Sequence, residues 1–248
     1  MKANWFLLKS VFLTAGICLC GACDDDDDCK VAYFPRHYES ISMGTVDNGN
    51  ILTDKGNTLA IDSSSVERAL AEGERVFLSC DILEREDEHR YRVKVNKYFQ
   101  LLDKDCISLS AIDADTLGRN PINVSKAWFG GGYLNMRMEL ETDPSSNVSH
   151  WVNLAYDDER STADTIRLRL YHNAFGDTIR TRLGAADASF DIRDFVTSEK
   201  VYVVLEWPWY DRHGQITAYT DGGYYTASNQ EETENSTDMA DEGGVNIH

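Results

Sequence analysis

"ISMGTVDNGNILTDKGNTLAID", residues 41–62, decides the fold of the first half of the chain. Short apolar runs alternate in this stretch with an Asn-Gly turn and a Lys-Gly-Asn turn, a pattern typical of successive β-hairpins. Strands joined by such short turns must run antiparallel. The folded part of the chain is therefore expected to open with a meander of short β-strands.

The residues that follow this meander predict a small barrel. A Ser-x-x-Glu capping box at Ser64 predicts one short helix through about Ala71. Strand periodicity then returns, because apolar residues alternate from Val76 to Ile82 and again from Tyr91 to Val95. Five or six short strands with one small helix favour a barrel of OB type, which we assign to residues 41–115.

A second β-rich block follows a polar link. Apolar side chains occupy every second position from Leu134 to Leu140 and from Ile166 to Leu170, as in half-buried strands. The run from Val201 to Leu205 is apolar on both faces and is typical of a central strand. Between Ala185 and Phe195 a short helical turn competes with a loop. We predict an antiparallel β-sandwich over residues 124–226, which makes the whole chain mainly β.

The first residues have the composition of a secretory signal. Lys2 and Lys9 accompany apolar runs that are too short to span a bilayer comfortably. A Gly-Ala pair precedes Cys23, the arrangement of a bacterial lipobox, in which cleavage leaves a cysteine that receives lipid. We predict a lipoprotein signal peptide over residues 1–22 and lipidation of Cys23. An ordinary cleaved signal peptide is the alternative.

Acidic segments flank the folded part. Residues 23–40 are predicted to form a lipidated tether and linker, and residues 227–248 a disordered acidic tail. Attached acyl chains such as palmitate would hold the protein at the outer membrane, facing the cell surface or, alternatively, the periplasm. The aspartate run after Cys23 is either a solvated spacer or resembles the acidic export signals of surface lipoproteins. It consists of Asp24, Asp25, Asp26, Asp27 and Asp28.

The charge balance and the cysteines limit the partners further. Lys and Arg number 24 against 42 Asp and Glu, so the formal charge of −18 argues against nucleic acid as a partner. After signal removal, an oxidising exterior would allow Cys80 and Cys106 to pair across neighbouring strands. No Cys-x-x-Cys pair remains in the mature folded part, so we expect no metal site and no cofactor.

Aromatic residues are the candidate ligand-binding positions. Trp209 and Tyr210 follow a proline close to a predicted turn, and Trp128 precedes a run of three glycines. Exposed rings stack on sugars or anchor a protein partner, whereas buried rings fill a core. Trp207 continues the apolar face of the strand that begins at Val201, so we expect it in the core.

The sequence shows no site for catalysis. The acids at Asp113 and at Asp157 to Glu159 fit turns better than the spacing of a calcium loop. His172 has no cysteine or second histidine at metal spacing and is expected to be a hydrogen-bonded structural histidine. The motifs of nucleophile elbows, zinc proteases and phosphate-binding loops are absent. We therefore expect a protein that is not an enzyme.

The order of several segments is similar to that of one known family. A lipobox and acids are followed by GTVDNGNILTDKGNTLAID, EGERVFLSCDIL, SHWVNLAYD, TIRLRLYHNAFGD and VYVVLEWPW. Together these segments, over roughly Ile41 to Tyr219, resemble the NigD-like lipoproteins. The resemblance implies an N-terminal OB domain and a C-terminal β-sandwich. The family takes its name from a bacteriocin-associated gene cluster, which implies an immunity role for some members. The resemblance supplies no catalytic residues that could be carried over to this chain.

Three functions agree with these expectations. We favour a non-enzymatic, membrane-anchored surface lipoprotein that binds a protein partner in an envelope-protection or bacteriocin-immunity-like role. A glycan-binding surface lipoprotein is the alternative, and a hydrolase with an unrecognised site is the second alternative. The OB fold alone does not decide between them, because one fold carries many functions.

Overall fold

A computed structural model describes residues 39–65, 69–143, 145–177 and 182–226. The predicted signal peptide, Cys23, the run from Asp24 to Asp28 and the acidic tail lie outside these described residues. Within the described ranges, no helix is long and apolar enough to cross a bilayer.

Five strands form a closed barrel in the first part of the described chain. They are hydrogen-bonded in the order β1-β2-β3-β5-β4, and β1 also pairs with β4, which closes the ring. Closure leaves the barrel without a free sheet edge. The small barrel expected from the hairpin meander is confirmed. The strands are β1 Glu39–Asp47, β2 Asn50–Thr53, β3 Thr58–Ser64, β4 Arg75–Arg85 and β5 Arg90–Gln100.

In the barrel, the sequence predicts one hairpin turn correctly and one short helix wrongly. Asn48 and Gly49 have φ values of 50° and 74°, as the type I′ turn of a two-residue hairpin requires. The predicted helix fails, because Ser64 ends strand β3 and pairs with Val95, and residues 69–71 are not helical. Residues 66–68 of that prediction lie outside the described part. Pairing between β3 and β5 therefore outweighs the capping box.

The remaining strands form a two-sheet sandwich, and this prediction is also confirmed. One sheet has the order β14-β13-β11-β10-β7 and the other the order β6-β12-β9-β8. Trp207 is buried in the core between them, as expected. The strands are β6 Leu102–Asp105, β7 Ile107–Ser108, β8 Asn123–Gly130, β9 Tyr133–Thr142, β10 Trp151–Tyr156, β11 Thr165–Asn173, β12 Arg182–Asp191, β13 Lys200–Tyr210 and β14 Ile216–Thr226.

The sandwich is mixed rather than purely antiparallel. The pairs β7–β10, β11–β13 and β6–β12 are parallel. The β11–β13 pair is parallel because β12 lies in the opposite sheet, so the chain returns to the first sheet in its earlier direction. Two short 3-10 helices, Leu109–Ala111 and Ala114–Leu117, connect β7 to the strands that follow.

Two sequence-based boundaries differ from the structure. Residues 102–108, which the sequence places in the barrel domain of 41–115, supply β6 and β7 to the two sheets of the sandwich. The barrel's strands therefore end at Gln100. The segment from Ala185 to Phe195, predicted as loop or helical turn, mostly forms β12, which pairs with β9 over its whole length. Strand β12 is rich in alanine and contains glycine, residues that are depleted in strands, so its sequence carries only a weak strand signal.

The predicted disulfide is wrong. Cys80 is buried in the barrel core and Cys106 in the sandwich core, and both are free thiols. Burial raises the pKa of Cys80 to about 11 and that of Cys106 to about 12, because desolvation disfavours the thiolate. Each cysteine occupies a core-facing position of a different domain, so the two side chains act as small apolar fillers.

A buried arginine joins the barrel to the sandwich. The Arg75 side chain is fully buried, and its Nη1 and Nη2 atoms donate to the two carboxylate oxygens of Asp54 at 2.5 and 2.9 Å. From the sandwich, Asn135 Oδ1 accepts from Arg75 Nη2 at 2.9 Å, and the Tyr133 ring lies 4.2 Å from the guanidinium carbon. The cation is thus paired and hydrogen-bonded on both sides of the junction.

Small sandwich residues give this cluster its room. Ser189 Oγ donates to Asn135 Oδ1 at 2.6 Å, and these two buried residues face each other on β12 and β9. A Cβ atom on Gly130 would come within 2.7 Å of Asp54. The glycine run after Trp128 therefore lets the β8–β9 turn approach the barrel carboxylate closely.

Candidate functional site

The ligand-binding aromatics predicted from the sequence are only partly accessible. Trp209 is half-buried and packs against the sandwich core. Tyr210 donates its hydroxyl hydrogen to Glu141 Oε2 at 2.9 Å. Trp128 is also half-buried, and Lys126 Nζ lies 5.3 Å from its ring centre.

These aromatics do not converge on one site. The Ile122 N–H donates to the Pro208 carbonyl at 2.9 Å, which places the start of β8 at the end of β13. The Phe129 ring contacts Tyr225, which pairs with Val201 at the start of β13. Trp128 and Trp209 therefore lie at opposite ends of β13.

A different pair of aromatic rings is exposed. Trp151 begins β10 with 50% of its surface exposed, and Phe175 follows β11 with 49% exposed. Their ring centres are 5.1 Å apart and their planes meet at 79°, an edge-to-face contact. The two strands pair Trp151 with Asn173, so the turn after β11 brings Phe175 to the tryptophan.

The turn that carries Phe175 is strained. Phe175 has a φ of 47°, a left-handed conformation that bulky side chains rarely adopt. Its N–H donates to Asn173 Oδ1 at 2.9 Å, and the Asp177 N–H donates to the Ala174 carbonyl at 2.9 Å. These two bonds hold the backbone in the turn that directs the ring onto Trp151.

A buried hydrogen-bond chain lies directly beneath this pair. His150, which precedes Trp151, is 2.9 Å from His172 through Nδ1 and Nε2, and its own Nε2 is 3.0 Å from Asp177 Oδ2. The side chains of His150 and Asp177 are 1% and 2% exposed. Asp177 also accepts from the Asp143 N–H at 3.1 Å, which ties in the β9–β10 loop.

Proton counting fixes the donors in this chain. His172 Nδ1 lies 2.9 Å from the Pro121 carbonyl, which can only accept, so Nδ1 carries a hydrogen, and in the neutral imidazole Nε2 then accepts. His150 Nδ1 must therefore donate to His172. His150 Nε2 faces Asp177 Oδ2, which completes the row of buried hydrogen bonds.

Burial also sets the protonation of His172. Desolvation lowers the pKa of His172 to about 4, against the opposing effect of the hydrogen bond to the Pro121 carbonyl. Because the side chains of His150, His172 and Asp177 are all buried, a substrate in solution does not reach them. This buried hydrogen-bond chain therefore supports the exposed aromatic pair from beneath.

Sequence reasoning finds one part of this site and misses the rest. His172 is expected to be a hydrogen-bonded structural histidine, and its buried contacts agree. Its partner His150 is missed because 22 residues separate the two, and only the pairing of β10 with β11 brings them together. The exposure of Trp151 could have been found, since Val152 and Leu154 alternate with it and are buried.

The predicted turn acids have structural roles. Asp158 accepts from Ser108 Oγ at 2.8 and 2.7 Å and from the Ser110 N–H at 3.0 Å, so it orders the start of the first 3-10 helix. Within the described ranges, no three His, Cys, Asp or Glu side chains lie together in a way that could hold a metal ion.

The sequence of the second domain matches a known family. Residues 106–220 match the profile of the NigD-like C-terminal beta sandwich domain. The sandwich is therefore similar to the NigD-like C-terminal domain. Trp151, Phe175 and the buried chain beneath them all belong to this NigD-like sandwich. No curated protein sequence matches the chain.

Solved structures share the fold of the barrel and the NigD-like sandwich together. A NigD-like immunity protein from Bacteroides caccae ATCC 43185 is 20% identical with a TM-score of 0.62, covering 75% of this chain and 96% of its own. A protein of unknown function, DUF1344, from Bacteroides vulgatus ATCC 8482 is 21% identical with a TM-score of 0.60, covering 79% and 96%. A "Putative lipoprotein" from Bacteroides fragilis NCTC 9343 is 10% identical with a TM-score of 0.55, covering 76% and 99%. At these identities the likeness concerns the fold.

Proposed function

We propose that this chain is a non-enzymatic, membrane-anchored envelope lipoprotein that binds a protein partner in an immunity-like role. The observation that carries the proposal is the exposed Trp151–Phe175 pair, held in place by a buried hydrogen-bond chain. Large aromatic side chains contribute much of the binding energy at protein interfaces. Strained backbone such as that of Phe175 is found most often at functional positions.

The geometry of the pair favours a protein over a glycan. The two ring planes meet at 79°, so Trp151 and Phe175 offer no common flat surface on which consecutive sugar rings could stack. An edge-to-face pair instead forms a compact apolar contact of the kind that fills a pocket on a partner. The name of the immunity protein that shares this fold also supports a protein partner.

The proposed location follows from the N-terminal sequence. Lipidation at Cys23 would anchor a chain whose charge of −18 does not bind anionic membranes by itself. The acidic run from Asp24 to Asp28 would then direct the protein to the outer surface of the outer membrane. The name of the lipoprotein with the same fold supports membrane anchoring.

A pull-down from native envelopes tests the proposed function. The lipidated protein and its soluble Cys23→Ala version should both retain one envelope protein, and Trp151→Ala should lose it. Phe99→Ala is the matched control, because Phe99 is an aromatic residue on the barrel with a similar exposure of 52%. Retention of the partner by Trp151→Ala would exclude the aromatic pair as the binding site.

Two further measurements separate the alternatives. Quenching of tryptophan fluorescence by a panel of sugars, lost in Trp151→Ala, would favour glycan binding over a protein partner. Mass spectrometry of the mature protein should show acyl chains on Cys23, and an unmodified Cys23 would contradict the proposed anchor.

A further inference from the structure

The edge strands of the sandwich differ in how they are protected. In the described ranges, β7 has two residues, β6 carries three charged residues among four, and β8 contains a bulge between Val124 and Lys126. Short length, charge and bulges all discourage a foreign strand from pairing. The edge strand β14 is eleven residues long and pairs with β13 in unbroken register. It contains no proline and no lysine, and Asp221 is its one charged residue.

The backbone of β14 offers regular hydrogen-bonding groups on its outer side. The Asp211 N–H donates to the Gln215 carbonyl at 2.8 Å, which marks the first hydrogen-bonded pair of the β13–β14 hairpin. In an antiparallel ladder such pairs recur at every second residue. The odd-numbered residues of β14 therefore bond to β13, and the backbone groups of Ile216, Ala218 and Thr220 point away from it.

One outward group in this strand is already occupied. The Gly222 N–H donates to Asp221 Oδ1 at 2.8 Å, which agrees with the outward direction of the even-numbered residues. Ile216 to Gly222 are all exposed, and Ile216 is among the most exposed apolar residues of the described chain. The outer edge from Ile216 to Thr220 thus combines accessible backbone groups with an apolar side chain.

Charge indicates the kind of strand that would fit. The formal charge of the chain is −18, and the residues that follow Thr226 include six acids and no Lys or Arg. A second copy would bring the same charges and be repelled, whereas a cationic segment would be attracted. We propose that the outer edge of β14, from Ile216 to Gly222, binds an extended, positively charged segment of a protein partner by strand addition.

This surface is separate from the aromatic pair and goes beyond the proposed function. Trp151 lies on β10, and two strands, β11 and β13, stand between β10 and β14 in the sheet. The backbone of the added segment would supply affinity, and its basic side chains would supply selectivity. Entry of the segment at Gly222 would displace the Asp221 carboxylate from the amide that it now occupies.

Amide-resolved hydrogen exchange of the full chain carrying Cys23→Ala tests the inference. The probe is a synthetic peptide of alternating lysine and valine, and its counterpart has glutamate in place of lysine. The lysine peptide should slow exchange at Ile216, Ala218 and Thr220 by about tenfold or more. The amides of Thr217 and Tyr219, which already bond to β13, should change little. The glutamate peptide should have no effect.

Two edge variants provide the decisive comparison. Ala218→Pro removes an outward N–H without removing a bond to β13, and should abolish the protection. Thr220→Lys adds a like charge against the lysine peptide and should also abolish it, even if the proline variant folds poorly. Ala127→Lys is the matched control, because Ala127 is an exposed residue on the other long edge strand, β8. It should bind as the parent does.

Several results would overturn the inference. Equal protection by both peptides would exclude the charge preference, and protection that grows with protein concentration alone would identify a second copy as the occupant. Amides that are already protected in the free chain would show that the edge is covered. If an envelope partner is lost by Trp151→Ala but kept by Ala218→Pro, the proposed function stands without the edge site. Peptide binding without any envelope partner would support the edge site and contradict the proposed function.

Discussion

Two buried polar clusters in this molecule provide hydrogen-bonding partners for their buried groups by different chemistry. The Arg75 cluster joins the barrel to the sandwich through the planar guanidinium of an arginine, which donates to groups on both sides. The chain under the aromatic pair uses the imidazoles of His150 and His172, which exchange protons near neutral pH when they are in water. Both clusters have their hydrogen bonds made, and in the second burial lowers the pKa of His172.

The arginine cluster connects the two domains by a buried ion pair, whereas the hydrogen-bond chain beneath the aromatic pair depends on the protonation of His172. Loss of either partner in the arginine cluster would leave an unpaired charge inside the protein. Protonation of His172 in acid would place a charge in this buried cluster, and His172 Nε2 would have to donate to His150 instead of accepting from it. The display of Trp151 and Phe175 should therefore weaken in acid, as His172 becomes protonated.

The largest expected effect is at the junction. Arg75→Met removes the cation that pairs with Asp54, whose side chain is only 8% exposed. Leaving that carboxylate buried and unpaired should lower the free energy of unfolding by about 3 to 5 kcal/mol. Denaturant titration followed by circular dichroism measures the loss.

A surface arginine provides the control for this change. Arg92→Met breaks the ion pair with Glu84, in which both side chains are well exposed, and should cost less than about 1 kcal/mol. Adding Asp54→Leu to Arg75→Met should recover part of the stability, because the unpaired charge is then gone. A loss at Arg75 no larger than that at Arg92 would contradict the buried junction.

The second effect is a dependence of stability on pH. The imidazole of His172 has a pKa near 6.5 in the unfolded chain and about 4 in the folded one. Below pH 6.5 the unfolded state binds more protons than the folded state. Protonation of His172 therefore costs no stability above that pH, and the free energy of unfolding falls as the pH drops towards 4. The total loss from this group should be about 3 kcal/mol.

Stability curves between pH 7 and pH 4 check this expectation. His172→Asn keeps a donor near the Pro121 carbonyl but removes the titrating ring, so it should be less stable at pH 7 and show a flatter curve. His213→Asn, at an exposed turn, retains both buried imidazoles and should keep the parental slope. A parental slope in His172→Asn would assign the acid sensitivity to other groups.

Sequence patterns predict the architecture well where the signal is local. The Asn48–Gly49 turn and the alternation after Val76 specify hairpins, and Val201 to Leu205 specifies a central strand, because each pattern depends on neighbouring residues. The capping box at Ser64 is misleading, since pairing of β3 with β5 decides that segment. The entry of residues 102–108 into the sandwich depends on distant partners and leaves no local pattern.

The candidate site is less predictable for the same reason. Arg75, Asp54 and Asn135 come from three distant segments, and nothing in their local sequence marks them as partners. His150 and His172 meet only through strand pairing. Trp151 carries a usable signal in its alternation with buried neighbours, but Phe175 does not, because a positive φ at phenylalanine runs against the preference of that residue.

The smallest expected effect tests the strain at Phe175. Within regular secondary structure an alanine variant is normally more stable than the glycine variant at the same position. At a φ of 47° this order should reverse. Phe175→Gly should be more stable than Phe175→Ala by about 1 kcal/mol, because both lose the ring contact with Trp151 and only glycine adopts the conformation freely. Thermal and denaturant unfolding of the two variants measure the difference. At Phe99, within strand β5, the alanine variant should be the more stable by about 0.5 to 1 kcal/mol. If alanine were also favoured at position 175, the turn would hold no strain, and the aromatic pair would lack the feature that sets it apart from other exposed rings.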